Sequence, residues 1–314
     1  MGLISKLSSI TKKDVGRAGG KGASLGEMTQ TGIPVPPGFV ILSTAFKRFI
    51  DEAELNVEIN AALDIVNKDD IHTIDAASEK IQAAILTATM PKDIERAAMD
   101  AFKKLNAKFV AVRSSATAED SSSHAWAGQL DTYLNTTKNN LLENVKRCWA
   151  SLFTSRAIFY RFERELHNTD ISVAIVVQKM VESEVSGVAF SVHPVTQDRN
   201  QMIIEAVFGL GEAIVSGSVT PDSYVIEKNN WNLIDTNIGG QKKMLVQKRN
   251  KKGNEWKELD EKQGRKQKLS GAQITELAKL VVKIEQHCGF PVDVEWALEN
   301  GKFYITQSRP ITTL

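Results

Sequence analysis

"PVDVEWALENGKFYITQSRPITTL" (residues 291–314) reads as two short strands joined at Glu299-Asn300-Gly301. A hairpin that ends a domain is expected to bury an apolar face, yet this one carries Asp293, Glu295, Gln307 and Arg309. The register decides what that means. With a three-residue turn and Gly301 in the left-handed region, Leu298 faces Lys302, Glu295 faces Ile305 and Asp293 faces Gln307. Alternation then gathers Asp293, Glu295, Gln307 and Arg309 on one face and leaves Trp296, Leu298, Tyr304 and Thr306 on the other. A two-residue turn would put the acidic pair and the Gln/Arg pair on opposite faces. Two carboxylates, an amide oxygen and a guanidinium on one rigid surface suit a Mg²⁺–polyphosphate group. Mg²⁺ prefers one or two carboxylates plus phosphate oxygens, and arginine offers a forked donor to phosphate. A surface ion-pair cluster, with Arg309 neutralising Asp293 or Glu295, is the alternative.

The rest of the composition narrows the setting. The 314 residues allow one large domain or two modest ones. Hydrophobic residues at 42% and charged residues at 25% are ordinary for a globular protein. A net charge of +1, from 39 basic and 38 acidic residues, gives no electrostatic case for a nucleic-acid or membrane partner. The most basic stretch, residues 241–268, alternates charge with apolar residues around Gly253-Asn254 and reads as a solvated hairpin rather than a phosphate-binding tract. Cys148 and Cys288 fit no metal or redox spacing and read as buried thiols in a reducing compartment. The N-terminus lacks a signal-peptide core and no apolar run could span a bilayer, so a cytoplasmic location is expected.

Along the chain, "GGKGASLGEMTQTG" (19–32) reads as a Gly-rich loop feeding a short helix that stops at Gly32. "PVPPGFVIL" (34–42) must be extended, and residues 43–55 form a helix with Ser43 as N-cap. Helical spacing covers 71–90, Pro91 opens a second helix, and residues 139–167 show strong 3.6-residue periodicity. "KFVAVR" (108–113) is a buried strand with Arg113 at its end, followed by a polar loop and a strand at 129–135. From about residue 171 strands dominate: 171–181, 186–192, 201–208, and a hairpin with its turn at Asn229-Asn230. One helix remains at 272–289, stopped by Gly289. The expectation is α+β: a first, α/β lobe over 1–180 and a second lobe on an antiparallel sheet over 181–314.

Three further clusters could carry chemistry. In "AVRSSATAEDSSSHAWAGQLDTYLN" (111–135) Arg113 precedes Ser114, Ser115 and Thr117, a loop able to present backbone N–H groups and hydroxyls to anionic oxygens; a Ser-rich surface loop is the alternative. "AGGKGASLG" (18–26) resembles a phosphate loop but is not a Walker A sequence, because Val15 stands where that motif needs glycine and Gly22 where it needs Ser or Thr. "FGLGEAIVSGSVTPD" (208–222) carries Glu212 beside a turn and reads as a structural connection. The five histidines have no metal-set spacing and read as structural.

Taken together, "GGKGASLGEM", "AVRSSATAED…AGQLDTYLN", "VVQKMV…SGVAFSVHPVT", "FGLGEAIVSGSVTPDSY" and "DVEWALENGKFYITQSRP" occur in this order over nearly the whole chain. They resemble the N-terminal ATP-binding domain of the phosphoenolpyruvate synthase (pyruvate, water dikinase) and pyruvate, phosphate dikinase family, shared with rifampin phosphotransferase. The resemblance implies an ATP-grasp fold that holds ATP and Mg²⁺ between two lobes. Carried over by position, it implies that Lys21 and Arg113 bind phosphates. Gly128 and Thr132 would line the triphosphate path, and Gln178 would lie on the adenine side. Glu295 and Gln307 would hold Mg²⁺ with Asp293 as support, and Arg309 would grip the transferring phosphates.

In this family a histidine on a swivelling domain takes the β-phosphate of ATP, with release of AMP and phosphate. The Thr-x-Gly-Gly-x-x-Ser/Cys-His motif of that domain is absent here, and Gly239-Gly240-Gln241 has no histidine after it. The expectation is therefore a module, excised or a split subunit, that binds ATP and Mg²⁺ and needs a phosphohistidine partner. The ATP-binding part of an antibiotic phosphotransferase and a non-catalytic nucleotide-sensing module are the alternatives.

Overall fold

The computed structural model describes residues 2–117, 131–166, 172–248, 253–312 and 314. The chain divides into two compact units, Met1–Glu27 with Pro37–Met180, and Met28–Pro36 with Val181–Leu314.

The first unit opens with β1 (Ile4–Lys6) and α1 (Val15–Gln30), whose last residues fall in the second unit, then β2 (Gly38–Ile41). Four helices follow: α2 (Ser43–Glu52), α3 (Leu55–Asp64), α4 (Ile71–Thr87) and α5 (Lys92–Leu105). Next come β3 (Val110–Ala116), β4 (Thr132–Thr136), α6 (Leu141–Ala150), α7 (Ser155–Glu163) and β5 (Val173–Lys179). The strands form one antiparallel sheet in the order β1-β2-β5-β3-β4. One sheet face buries Val110, Val112, Val173, Ile175 and Val177 with residues of α2, α4 and α6. Trp149 is fully buried there and stacks on Phe49 at 4.9 Å between ring centroids.

Several local readings change in this unit. The start of the Gly-rich segment is helix rather than loop, since α1 runs to Gln30 just ahead of the stop at Gly32, broken at one point: Gly19 takes φ 69° and ψ 169°. A Cβ there would overlap the Ser115 carbonyl and hydroxyl, so glycine is required for close approach as well as for conformation. Helix α2 has Leu42, not Ser43, as N-cap, and the Ser43 hydroxyl donates to the Gly16 carbonyl. Pro91 is an N-cap one residue ahead of α5. The periodicity of 139–167 is interrupted by a 3₁₀ turn at Ser151–Phe153, and Thr154 caps a new helix. Strand β3 continues three residues beyond Arg113, so Ser114 and Ser115 are strand residues.

The second unit holds a six-stranded antiparallel sheet in the order β13-β12-β6-β7-β8-β9. Its strands are β6 (Val185–Phe190), β7 (Gln201–Phe208), β8 (Asp222–Glu227), β9 (Leu233–Asn237), β12 (Val292–Glu299) and β13 (Lys302–Pro310). A one-turn helix α8 (Glu212–Val215) follows β7. A separate hairpin, β10 (Lys243–Gln247) and β11 (Asn254–Glu258), forms the basic stretch and precedes the one-turn α9 (Glu261–Gly264). Helix α10 (Gly271–Cys288) starts with a capping box, Ser270 with Gln273, and stops at left-handed Gly289. Its buried stripe of Ile274, Leu277, Ala278, Val281 and Ile284 packs on β12 and β7. That sheet face buries Met202, Ile204, Tyr224, Ile226, Val294, Trp296 and Leu298.

The terminal hairpin departs from the expected register twice. Glu299 pairs with Lys302, so the turn has two residues, Asn300 and Gly301, with φ of 50° and 73°. This is the primed geometry favoured by Asn-Gly. The pairing then runs regularly to Trp296/Ile305 and slips between Trp296 and Glu295, after which Glu295 pairs with Gln307 and Asp293 with Arg309. Thr306 is the extra residue of a β-bulge, and its hydroxyl donates to the Glu295 carbonyl at 3.2 Å. Two shifts of one residue each restore the facing of the four polar residues. The apolar partners change, however. Phe303 and Ile305, rather than Tyr304 and Thr306, share the face of Leu298 and Trp296, with the Trp296 and Phe303 rings edge-on at 5.6 Å.

Candidate functional site

In the first unit three of the expected residues, Arg113, Thr132 and Gln178, lie on one sheet face. Arg113 in β3 stands opposite Val176 of β5 and Thr132 of β4, and Gln178 is two residues further along β5. Residues directly opposite share a face, as do residues two apart. Arg113, Thr132 and Gln178 therefore form one group. The Arg113 Nη1 donates to Gln178 Oε1 at 3.3 Å, and both side chains are buried. Arg113 is thereby held in place by the strand beside it.

Ser115 occupies the next position on this face and explains how α1 is attached. Its hydroxyl donates to the Ala18 carbonyl at 3.0 Å and accepts from Gly22 N–H at 3.2 Å, spanning the kink at Gly19. Gly22 packs beside Val40 and Val176. Lys21, one residue away and half-buried, is thus carried on a helix pinned over the strand face that bears Arg113. The hydroxyls expected to greet anionic oxygens are consumed internally. Ser114 bonds with the Asp131 and Cys148 carbonyls and with Ser151, and Thr117 donates to the Ser172 carbonyl. Their part is structural. Gly128 and His124 lie outside the described residues. The Cys148 thiol is fully buried and pushed up to about 12 by desolvation, an inert group.

In the second unit Asp293, Glu295, Gln307 and Arg309 share the face of the six-stranded sheet opposite α10, as two direct cross-strand pairs. Arg309 Nε donates to Asp293 Oδ2 at 2.8 Å. The ion-pair alternative therefore exists in the geometry, but it does not use up the cluster. Asp293 Oδ1 is buried with no hydrogen-bond partner, while the Arg309 side chain remains 46% exposed. A buried carboxylate oxygen without a partner is costly unless a cation or donor meets it. Among the described residues no group of three His, Cys, Asp or Glu side chains could hold a metal unaided. Two carboxylates and an amide fit Mg²⁺ in particular, because this ion completes its shell with phosphate oxygens and water.

The remaining candidates are structural. Glu212 accepts from the Asn254 side chain, and His193 Nδ1 accepts from the backbone of Val195 and Thr196. Glu205 of β7 escaped the sequence reading. It is a half-buried carboxylate on the open face whose pKa is raised by desolvation. The alternation Met202, Ile204, Ala206 inward and Gln201, Ile203, Glu205 outward was the signal that could have found it. No helix among the described residues is long and apolar enough to cross a membrane.

Comparison with known proteins gives this arrangement its context. The model of the pyruvate phosphate dikinase AMP/ATP-binding domain matches residues 15–314. The chain is 44% identical over 321 residues to a probable phosphoenolpyruvate synthase of Methanocaldococcus jannaschii, a match covering 100% of this chain and 27% of that protein. It is 40% identical to the phosphoenolpyruvate synthase of Pyrococcus furiosus, over 99% of this chain and 44% of that one. It is 38% identical to the rifampicin phosphotransferase of Bacillus subtilis, over 99% of this chain and 36% of that one. The chain thus spans less than half the length of each of these relatives. With its α+β fold of ATP-grasp type, the chain belongs to the pyruvate phosphate dikinase AMP/ATP-binding domain family.

Proposed function

We propose that the chain is the ATP-binding module of a phosphoenolpyruvate synthase, and that it drives transfer of the β-phosphate of ATP to a histidine on a separate domain or subunit. AMP and inorganic phosphate leave, with one water consumed in releasing the γ-phosphate. The observation that carries this reading is the sheet face where Asp293, Glu295, Gln307 and Arg309 stand as two cross-strand pairs with Asp293 Oδ1 unpartnered. Membership of an AMP/ATP-binding family supports ATP as the ligand.

In this reading each unit is one lobe and contributes its own groups to ATP. Lys21 and Arg113 neutralise phosphate oxygens, Gly128 and Thr132 flank the triphosphate, and Gln178 meets the adenine side. Glu295 and Gln307 hold Mg²⁺ with Asp293 in support, and Arg309 clamps the phosphates that move. Mg²⁺ supplies charge neutralisation and alignment of the phosphate oxygens. Such a site does little covalent work; it positions a polyphosphate for in-line attack and stabilises the charge that develops.

A second reading, the ATP-binding part of an antibiotic phosphotransferase, is favoured by the 38% identity to the rifampicin phosphotransferase. The same chemistry at ATP serves both. The test mixes this chain with a phosphohistidine domain of a phosphoenolpyruvate synthase, ATP and Mg²⁺. AMP and a ³²P-labelled histidine from β-labelled ATP are expected. Tight ATP binding with no AMP formed would favour a nucleotide-sensing module instead.

A further inference from the structure

Across the open face of the six-stranded sheet the registers line up one crosswise row: Gln307, Glu295, Val188, Glu205, Ser223. The first two members belong to the proposed Mg²⁺ set. Glu205 is different in kind from its neighbours in the row. Its carboxylate is half-buried, and among the described residues it has neither a hydrogen bond nor an ion pair. Desolvation alone raises its pKa. A carboxylate kept partly out of water in the same row as the proposed Mg²⁺ set is an open acceptor, and a donor group on the ligand would offset its desolvation.

Which group follows from spacing and charge. Glu205 lies two strands from Glu295, roughly 10 Å away at the usual interstrand distance. Strand side chains stand roughly perpendicular to the sheet, so the carboxylates keep a similar separation. One Mg²⁺ holds its oxygens at about 2.1 Å and is too small to bridge them. Phosphate oxygens would repel Glu205. ATP offers a carboxylate two kinds of donor, the ribose hydroxyls and the adenine amino group, and the ribose is the nearer to metal-bound phosphates.

We propose that Glu205 is a specificity-determining residue that accepts hydrogen bonds from the ribose hydroxyls of the bound nucleotide. This rests on the reading of the sheet face as an ATP site and adds to it a means of choosing ribonucleotides.

The test is calorimetry on the intact chain with Mg²⁺ and ATP, 2′-deoxy-ATP or 3′-deoxy-ATP, for wild type and Glu205→Ala. Wild type is expected to bind ATP about tenfold or more tightly than at least one deoxy analogue, the range for a hydrogen bond to a charged acceptor. Glu205→Ala should lose that factor on ATP and little on the analogue. Glu205→Gln, which keeps the shape and one acceptor oxygen, should fall between them. Unchanged ATP affinity in Glu205→Ala, or equal weakening of ATP and both analogues, would overturn the assignment while leaving the ATP site standing. A wild type that takes up no ATP would overturn the site itself.

Folding gives an independent readout. A carboxylate whose folded pKa is raised costs stability above that pKa, and the cost fades as pH falls and the group protonates. Glu205→Gln should therefore match or exceed the wild-type melting temperature at pH 7, with any gain shrinking toward pH 4. A large loss of melting temperature at pH 7 would show that Glu205 has a structural partner and would remove the argument for a ligand.

Discussion

Arg309 and Asp293 illustrate why single residues here need careful probes. The guanidinium is the counter-charge of a carboxylate that is only 9% exposed, so Arg309→Ala strips a partner from a buried anion as well as removing a phosphate clamp. The stability cost of that orphaning is about 1–3 kcal/mol. Glu295→Gln is the cleaner test, since it removes charge from a half-buried position without changing shape. We expect it to abolish Mg²⁺-dependent AMP formation in the reconstituted assay. Thermal melting should fall far less than activity, because the amide keeps the shape of the carboxylate and one acceptor oxygen. Lys21→Ala, in a helix held by Ser115, should weaken ATP more than AMP in a calorimetric comparison. Equal weakening would argue that Lys21 does not serve the terminal phosphates. These residues stood out as candidates because charged side chains are conspicuous at strand and helix-start positions. The roles of Ser114, Ser115 and Thr117 were not, because a hydroxyl's partner is set by what the chain folds against it.

At the scale of elements, the terminal hairpin shows how a facing can be right and a register wrong. Side chains alternate with period two, so a one-residue change in the turn moves every following residue to the other face. The turn is one residue shorter than expected, and the bulge at Thr306 supplies the compensating shift. Packing explains why the ladder accepts it. The regular part places Trp296 with Ile305 and Leu298 with Phe303 on the buried face, and the shifted part places Val294 with Ser308 and Val292 with Pro310 there. Without the bulge Gln307 and Arg309 would turn toward the core under α10. Deleting Thr306 removes the bulge and keeps Gln307 opposite Glu295, so ATP and Mg²⁺ binding should persist in the deletion variant when measured by calorimetry. Lost binding in a folded variant would mean that the added twist of the bulge also aims Glu295.

At the scale of the whole molecule, the second unit depends on a polar anchor as well as an apolar core. Asp222 and Lys268 form an ion pair with both side chains fully buried. Asp222 also accepts from Gly239 N–H, Lys268 N–H and the Tyr224 hydroxyl, and the Lys268 ammonium also donates to the Gly239 and Gly264 carbonyls. The network ties β8 to the segments on either side of the β10–β11 hairpin. Removing one member leaves an uncompensated buried charge, which typically costs 3–5 kcal/mol. Lys268→Met should lower the unfolding free energy by about that amount in a denaturant titration.

Periodicity alone determined that this chain alternates helix and strand and ends in a polar-faced hairpin. Those patterns are local, since 3.6-residue and two-residue repeats are written in neighbouring residues. Helix α10 with its glycine stop and the strands of the second unit came from that level, whereas the family resemblance came from five motifs in order along the chain. Only the tertiary structure decided that Gly19 kinks α1 against Ser115 and that Arg113 is braced by Gln178 from a strand 65 residues later. It also decided that a bulge corrects the hairpin and that Glu205 stands in line with Glu295. Each of these depends on pairings between distant segments, and their register is set by which apolar faces must be buried together.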